Sequence, residues 1–183
     1  MIKRKTADFN SFVAFDFETT GLGMHDKITE IGAVKVKDGY LVSRFSTLVD
    51  PGIPIDPMIT KITGITTDMV AGKPAIEQLL PCFLDYTEGF PLVAHNAAFD
   101  CRFLEREAQV SGFFLDHEVF DTLQFARRVL PGMPSYKLTA LSALLGIPQQ
   151  DAHRAWCDAE ACARLYMILR ARAEKTACNA PLP

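Results

Sequence analysis

Two acidic residues, Asp16 and Glu18, lie at the end of a stretch that otherwise has the pattern of a buried β-strand. Residues 12–17 are otherwise apolar and largely aromatic, and a Thr-Thr-Gly turn follows at 19–21. Because strand side chains alternate, both carboxylates point to the same face. Two adjacent anions in a partly dry place repel each other, so we predict a divalent cation there, such as Mg²⁺. The alternative is that both acids reach solvent at the end of the strand.

Composition limits the class of protein. The 183 residues are 49% hydrophobic with a net charge of −3, which fits one folded domain and excludes a strongly basic nucleic-acid coat. We expect a single domain over residues 1–176 and a short flexible tail at 177–183. No apolar run reaches the roughly 18 residues of a membrane span, and the N-terminus lacks the apolar region of a signal peptide. Five cysteines without CxxC spacing indicate reduced thiols, so we expect a cytoplasmic protein.

The order of predicted elements indicates an α/β fold. Strands are predicted at 12–17, 28–36, 40–49, 91–95 and 118–120, with a hairpin turn at 37–39. Helices are predicted at 59–62, 67–70, 75–86, 97–110, 122–130, 135–145 and 154–175, with Pro74, Asp121 and Ser135 at helix starts. An antiparallel meander followed by strand-helix alternation predicts a mixed sheet of about five strands with helices on both faces.

Two further acids occupy positions where a carboxylate needs an explanation. Asp100 follows the strand at 91–95, at the start of the next helix; favourable interaction with the helix dipole is the simple alternative to a functional role. At about 100° per residue, Asp158 lies in the middle of the apolar stripe of the last helix. A charge in that stripe requires a partner, which is either a metal ion or a buried salt bridge.

His153 precedes Asp158 by five residues, about 140° around a helix, so the two would not share a helical face. We therefore expect His153 in the loop before the helix, where it reaches the same cleft or is simply exposed. Histidine is the side chain best suited to take a proton near neutral pH. The four acids and the histidine all fall at strand ends or helix starts, which frame the ligand crevice of an open α/β sheet.

Three segments resemble the motifs of the DEDD exonuclease superfamily, the third in its histidine form. They are residues 15–21 (FDFETTG), 93–100 (VAHNAAFD) and 152–159 (AHRAWCDA). The intermediate stretches 27–34, 62–66 and 136–141 also fit, and the resemblance extends over about residues 12–170. The chain is similar to the proofreading epsilon subunit of bacterial replicative polymerases and its stand-alone relatives.

This resemblance implies a ribonuclease-H-like fold and hydrolysis of single-stranded nucleic acid from the 3′ end, releasing nucleoside 5′-monophosphates. We hypothesise that Asp16, Glu18, Asp100 and Asp158 hold two Mg²⁺ or Mn²⁺ ions, about 3.5–4 Å apart as in two-metal sites. The resemblance suggests that Asp16 bridges both ions. His153 is expected to take the proton of the attacking water.

The terminal nucleotide also requires contacts. Thr19, Gly64 and Ile65 are candidates for this role, and ordinary turn chemistry is the alternative. DNA is expected to be the substrate rather than RNA, but a single 2′-hydroxyl contact decides between them.

The resemblance leaves the partners open. An RNA-directed 3′→5′ exonuclease of the same superfamily and a non-catalytic nucleic-acid-binding or polymerase-associated module remain alternatives. A DNA polymerase is a possible partner. The epsilon subunit carries a polymerase-binding tail beyond its exonuclease domain, whereas this chain ends at Pro183, so we expect either a free-standing enzyme or a trimmed domain.

Overall fold

A mixed five-stranded sheet forms the centre of the computed structural model, which describes residues 10–149 and 153–178. The strands are β1 (Phe12–Thr19), β2 (Ile28–Lys37), β3 (Tyr40–Leu48), β4 (Leu92–Ala94) and β5 (Val119–Asp121). Their order is β3-β2-β1-β4-β5. The pairs β1–β2 and β2–β3 are antiparallel, whereas β4 is parallel to both β1 and β5. The predicted meander and the mixed sheet are therefore confirmed.

Seven helices are present in the described residues. They are α1 (Pro57–Thr63), α2 (Thr67–Val70), α3 (Ile76–Thr87), α4 (Ala98–Val110), α5 (Thr122–Val129), α6 (Leu138–Leu145) and α7 (Ala155–Cys178). Asp121 caps α5 as predicted, because its carboxylate accepts the Leu123 amide at 2.8 Å.

Several predicted helix boundaries are wrong. α1 begins at Pro57, two residues before the predicted start. α3 begins at Ile76 after the extended residue Ala75, so Pro74 is not its first residue. α6 begins at Leu138, three residues after Ser135, because Lys137 still has extended backbone angles. α7 continues to Cys178 instead of ending near residue 175.

Alternating β1 side chains build two apolar layers, one on each side of the sheet. Phe15 and Phe17 face α3 and α4, where they pack with Phe83 and Phe103. The intervening residues face the other side, where Phe12 meets the ring of Tyr166 on α7 edge-on. Helices cover both faces, as predicted. Asp16 and Glu18 follow Phe12 at even spacings along the strand. The two acids therefore lie on the same face of β1 as Phe12, which is the face that α7 covers.

Gly32 is the point where α7 comes closest to the sheet. It pairs with Asp16 across the β1–β2 ladder. A Cβ added at Gly32 would lie 2.0 Å from the carbonyl carbon of Ala155 and 2.2 Å from the amide nitrogen of Trp156. Both neighbours are backbone atoms of the first turn of α7, so only glycine fits without displacing the helix.

Several predictions concern residues that lie outside the described part of the chain. These are the basic N-terminus at residues 1–5, Ala152 of the third motif and the tail from residue 179 onward. Within the described residues, no helix has both the length and the apolar character that crossing a membrane requires.

We predict that Gly32→Ala lowers the free energy of unfolding by about 1–3 kcal/mol, the usual cost of an overpacked site. Ser46→Ala is the control, because Ser46 pairs with Gly32 on β3 but is exposed. Denaturant unfolding of both variants measures the difference. A Gly32→Ala variant as stable as Ser46→Ala would contradict the close helix–sheet contact.

Candidate active site

The β1 acids and Asp158 meet because α7 covers the relevant face of the sheet. Asp16 and Glu18 project from the last half of β1 towards α7, and both are partly exposed. Asp158 lies in the first turn of α7 and is 8% exposed. The helical stripe therefore points Asp158 into the molecule, as predicted, at the position where the two strand carboxylates emerge.

Within the described residues, Glu18, His153 and Asp158 form a group whose side chains could together hold a metal ion. One possible ligand atom from each lies within 4.8 Å of the others. His153 is exposed in the turn before α7, as predicted, and its backbone amide donates to Asp158 Oδ2 at 3.1 Å. The side-chain amide of Gln149 donates to the other oxygen, Asp158 Oδ1. These two donors fix the orientation of the Asp158 carboxylate.

Asp100 reaches the same centre from the opposite layer. It lies in the first turn of α4, directly after β4, and is 2% exposed. Its Oδ1 accepts the backbone amide of Phe17 at 3.0 Å, and Phe17 stands between the two β1 acids. The parallel pairing of β4 with β1 explains this position, because both strands end at the same edge of the sheet.

Within the described residues, burial and neighbouring carboxylates dominate the electrostatics of the two β1 acids. Burial, followed by the charge of Asp100, raises the pKa of Asp16 well above its usual range. Burial and then the charge of Asp158 raise the pKa of Glu18 to about 8, although the guanidinium of Arg154 acts in the opposite direction. Each carboxylate therefore disfavours ionisation of its neighbours.

The other two acids show the same trend, partly offset by hydrogen bonds. Burial raises the pKa of Asp100 to about 7, against the lowering effect of the Phe17 amide. Burial also raises the pKa of Asp158, against the lowering effects of Gln149 and the His153 amide. Four crowded carboxylates of this kind fit the oxygen ligands that hard divalent cations prefer.

A cavity of about 880 Å³ opens beside the carboxylates. Asp16, His153 and Asp158 line it together with the residues Leu22, His95, Asn96, Leu123, Arg127, Pro134, Ser135, Tyr136, Lys137, Leu138, Thr139 and Gln149. Arg127 and Lys137 are its cations, and both are exposed. The cavity wall therefore carries both carboxylates and cations.

His95 is held by hydrogen bonds within the fold. Its Nδ1 lies 2.9 Å from the hydroxyl of Thr122, and its Nε2 donates to the carbonyl of Tyr136 at 2.8 Å. Burial lowers the pKa of His95. Asn96 adopts a left-handed backbone conformation, φ 63°, which turns the chain from β4 into α4.

The candidate nucleotide-binding residues have local roles in the fold. The Thr19 hydroxyl donates to the carbonyl of Gly21 at 2.7 Å. Gly64 ends α1 in a left-handed conformation, and the Ile65 side chain is fully buried against Ile55 and Val70. A nucleotide at this place would contact the exposed backbone at Gly64 rather than the side chain of Ile65.

Glu30 is a buried acid beside the site that the sequence reading did not assign. It is 1% exposed and pairs with Glu18 in the β1–β2 ladder. Arg154 contacts both of its carboxylate oxygens. An acid inside the apolar strand β2 was a detectable signal of the same kind as Asp16, but its partner lies 124 residues away.

Fold and site together define a class. A mixed sheet with this strand order, four acids converging at one sheet edge and a histidine beside them is the arrangement of a metal-dependent nuclease. The exonuclease family RNase_T matches residues 13–166, which is more than half of the chain. The chain therefore belongs to this exonuclease family, which confirms the predicted family, fold and enzyme class.

Individual relatives agree with this assignment. The chain is 44% identical over 157 residues to a DNA polymerase III PolC-type of Caldanaerobacter subterraneus, covering 85% of this chain but 11% of that protein. It is 40% identical over 169 residues to a DNA polymerase III subunit epsilon of Treponema pallidum, covering 90% and 79%. A structure of exonuclease X in complex with 5′ overhanging duplex DNA superposes with a TM-score of 0.76 and 34% identity, covering 89% and 93%.

We predict that the metal-free protein loses stability as the pH rises from about 5.5 to about 8.5. The pKa of Glu18 is about 8 in the folded state, against about 4.3 in an unfolded chain. The folded state therefore binds more protons within this interval, and the free energy of unfolding falls as the pH rises. Thermal unfolding in EDTA measures this effect.

Glu18→Gln is expected to reduce this loss, because it removes one of the crowded charges. Glu105→Gln is the control, because Glu105 is an exposed carboxylate on α4. A melting temperature that is constant or rises with pH in EDTA would contradict the uncompensated carboxylate cluster.

Proposed function

We propose that the chain hydrolyses single-stranded DNA from its 3′ end and releases nucleoside 5′-monophosphates. The observation that carries this proposal is the group formed by Glu18, His153 and Asp158, with ligand atoms within 4.8 Å of one another at the wall of a large cavity. We further propose that residues 1–176 act as one exonuclease domain.

Asp16, Glu18, Asp100 and Asp158 would hold two divalent ions, Mg²⁺ or Mn²⁺. Ions at such a site supply charge stabilisation for the attacking and leaving oxygens of a phosphodiester. Asp100 and Asp158 are held by backbone or side-chain amides, so their oxygens are already oriented. Pre-oriented ligands lower the cost of reorganisation when the ions bind.

His153 would take the proton of the attacking water. Its imidazole is exposed at the cavity wall, whereas its backbone amide is bound to Asp158, so the ring is open to solvent and substrate. A base must lie within hydrogen-bond reach of the water that it deprotonates. His153 lies beside the carboxylates of Glu18 and Asp158. A water held between these three side chains would therefore be within hydrogen-bond reach of the imidazole.

The cations of the cavity wall would hold the DNA backbone. Arg127 and Lys137 line the same cavity as the acids, which fits a chain of phosphates that is bound by the cations and ends at the carboxylates. Thr19 and Gly64 remain our candidates for contacts to the terminal nucleotide, and Ile65 would contribute only through its backbone beside Gly64, because its side chain is buried. The net charge of −3 agrees with DNA binding through a few local cations rather than through an overall positive charge.

DNA and a polymerase partner are supported by the relatives. Those described above include subunits of DNA polymerase III and an exonuclease whose structure contains DNA. We therefore propose DNA as the substrate and DNA polymerase III as the partner. The chain spans 11% of the PolC-type relative, so this assignment concerns only the exonuclease portion of such a protein.

Digestion of 5′-labelled single-stranded DNA and RNA of matched sequence tests the proposal. With Mg²⁺ or Mn²⁺ we expect a ladder that shortens from the 3′ end, faster on DNA, and none in EDTA. Faster cleavage of RNA would replace the substrate assignment. Binding without cleavage, with folded protein and either metal, would support the non-catalytic alternative.

Two substitutions test the residue roles. Asp158→Asn removes a metal ligand and is expected to abolish hydrolysis while the protein remains folded. His153→Ala should lower the rate by roughly 10²–10⁴-fold, the usual contribution of a general base. Glu105→Gln is the control and should keep full activity. Normal rates in either active-site variant would refute the role assigned to that residue.

A further inference from the structure

Glu30 is a fully buried carboxylate that the proposed mechanism does not use. It lies in β2, directly across from Glu18, and 1% of its surface is exposed. Solvent and substrate therefore do not reach it. A carboxylate in such a place is retained only with close partners, because an unpaired buried charge is costly.

Among the described residues, the hydrogen-bond donors to Glu30 come from one dipeptide at the start of α7, Arg154-Ala155. The Nε of Arg154 donates to both carboxylate oxygens, at 3.2 and 3.1 Å, and its Nη2 donates to Oε1 at 2.8 Å. The backbone amide of Ala155 donates to Oε2 at 3.0 Å. This two-pronged arginine contact fixes direction as well as distance, which a single charge contact does not.

His153 immediately precedes this dipeptide and has an unusual backbone conformation. Its φ is +66°, a left-handed region that side-chain-bearing residues rarely adopt. Such a conformation persists only where its surroundings hold it. On one side, the His153 amide is bound to Asp158. On the other side, Arg154 and Ala155 are bound to Glu30.

We propose that Glu30 is a positioning residue that holds the His153 turn, and through it the imidazole, against the carboxylates of Glu18 and Asp158. This inference rests on the proposed function of His153 as the base. Glu30 itself touches neither substrate nor metal. Its role is to anchor the two residues after His153 to the strand that carries no catalytic group.

The alternative is that Glu30 acts through its charge on the metal-binding carboxylates. Glu30 is the cross-strand neighbour of Glu18, so removal of its charge could change metal affinity without moving His153. The two explanations predict different couplings. A positioning role requires His153, whereas an effect on the metal site does not.

A double-mutant cycle with Glu30→Gln and His153→Ala separates these explanations. We expect Glu30→Gln to lower kcat by roughly 10-fold or more, because misplacement of a catalytic group by about 1 Å can cost about 10²-fold. KM for the DNA and the half-saturating Mn²⁺ concentration should change less than about twofold. In the His153→Ala background, Glu30→Gln should have almost no further effect on kcat.

Arg154→Lys provides a second route to the same test. Lysine keeps the positive charge but lacks the planar guanidinium that contacts Glu30 in a fixed orientation. Arg154→Lys should therefore reproduce the fall in kcat if the orientation of this contact matters. It also tests the proposal if Glu30→Gln does not fold. Glu160→Gln on α7 is the matched control, because it removes ion pairs to Arg164 on the same helix and to Arg44 on β3 without touching the turn. Its kcat should be unchanged.

An NMR measurement tests the inference without relying on activity. The backbone amide of His153 should shift and exchange faster with solvent in Glu30→Gln, but not in Glu160→Gln. An unchanged His153 amide would overturn the proposal, even for a protein that cleaves nothing.

The kinetic outcomes are equally distinct. Glu30→Gln could lower kcat equally in the wild-type protein and in the His153→Ala variant, or it could raise the Mn²⁺ requirement. Either result would overturn the positioning role and favour the charge effect. A wild-type protein that does not cleave would refute the proposed function alone, and the His153 amide would then decide the role of Glu30.

Discussion

The site depends on how closely α7 approaches the sheet. Gly32 has no side chain, so the backbone of Ala155 lies directly against β2. This contact places the turn that holds His153 and the first helical turn that holds Asp158 over the face of β1 from which the strand carboxylates project. A larger residue at Gly32 would separate the two halves of the site, whatever its effect on stability.

The acids around this contact divide into those that support the fold and those that oppose it. Glu30 is fully buried but receives an arginine and a backbone amide, so its charge joins two elements. Among the described residues, no comparable set of donors contacts Asp16 and Glu18, and their raised pKa values reflect burial and mutual repulsion. Such a cost is typical of groups that are arranged for a ligand rather than for stability.

The sequence alone identified the acids that occupy positions where the local pattern predicts a buried apolar side chain. The period of two placed Asp16 and Glu18 on one face, and the helical stripe placed Asp158 inside. Glu30 carried the same signal in β2, but its function depends on Arg154, which is distant in sequence. An acidic residue in an apolar strand can be either a metal ligand or one member of a buried ion pair. Only the identity of its partner distinguishes the two.

The error at the start of α6 has a related cause. Ser135 is a good capping residue, and its hydroxyl does accept the amide of Lys137 at 3.3 Å. The intervening Tyr136, however, is held by long-range bonds. Its hydroxyl donates to the carbonyl of Leu130, and its own carbonyl accepts from His95. Tertiary contacts therefore keep this segment extended and leave Lys137 at the cavity wall, where local propensity alone predicted a helix.

The distribution of charge across the cavity has a consequence for the order of binding. Its ionised carboxylates repel phosphates, whereas Arg127 and Lys137, which line the same cavity, attract them. With a net charge of −3, the protein offers little long-range attraction to a polyanion. A phosphodiester can therefore approach the carboxylates closely only when protons or cations neutralise their charge. At a pH above their raised pKa values, divalent ions would thus control access to the site as well as the proposed reaction in it, and a DNA strand bound to the metal-free protein would remain at Arg127 and Lys137.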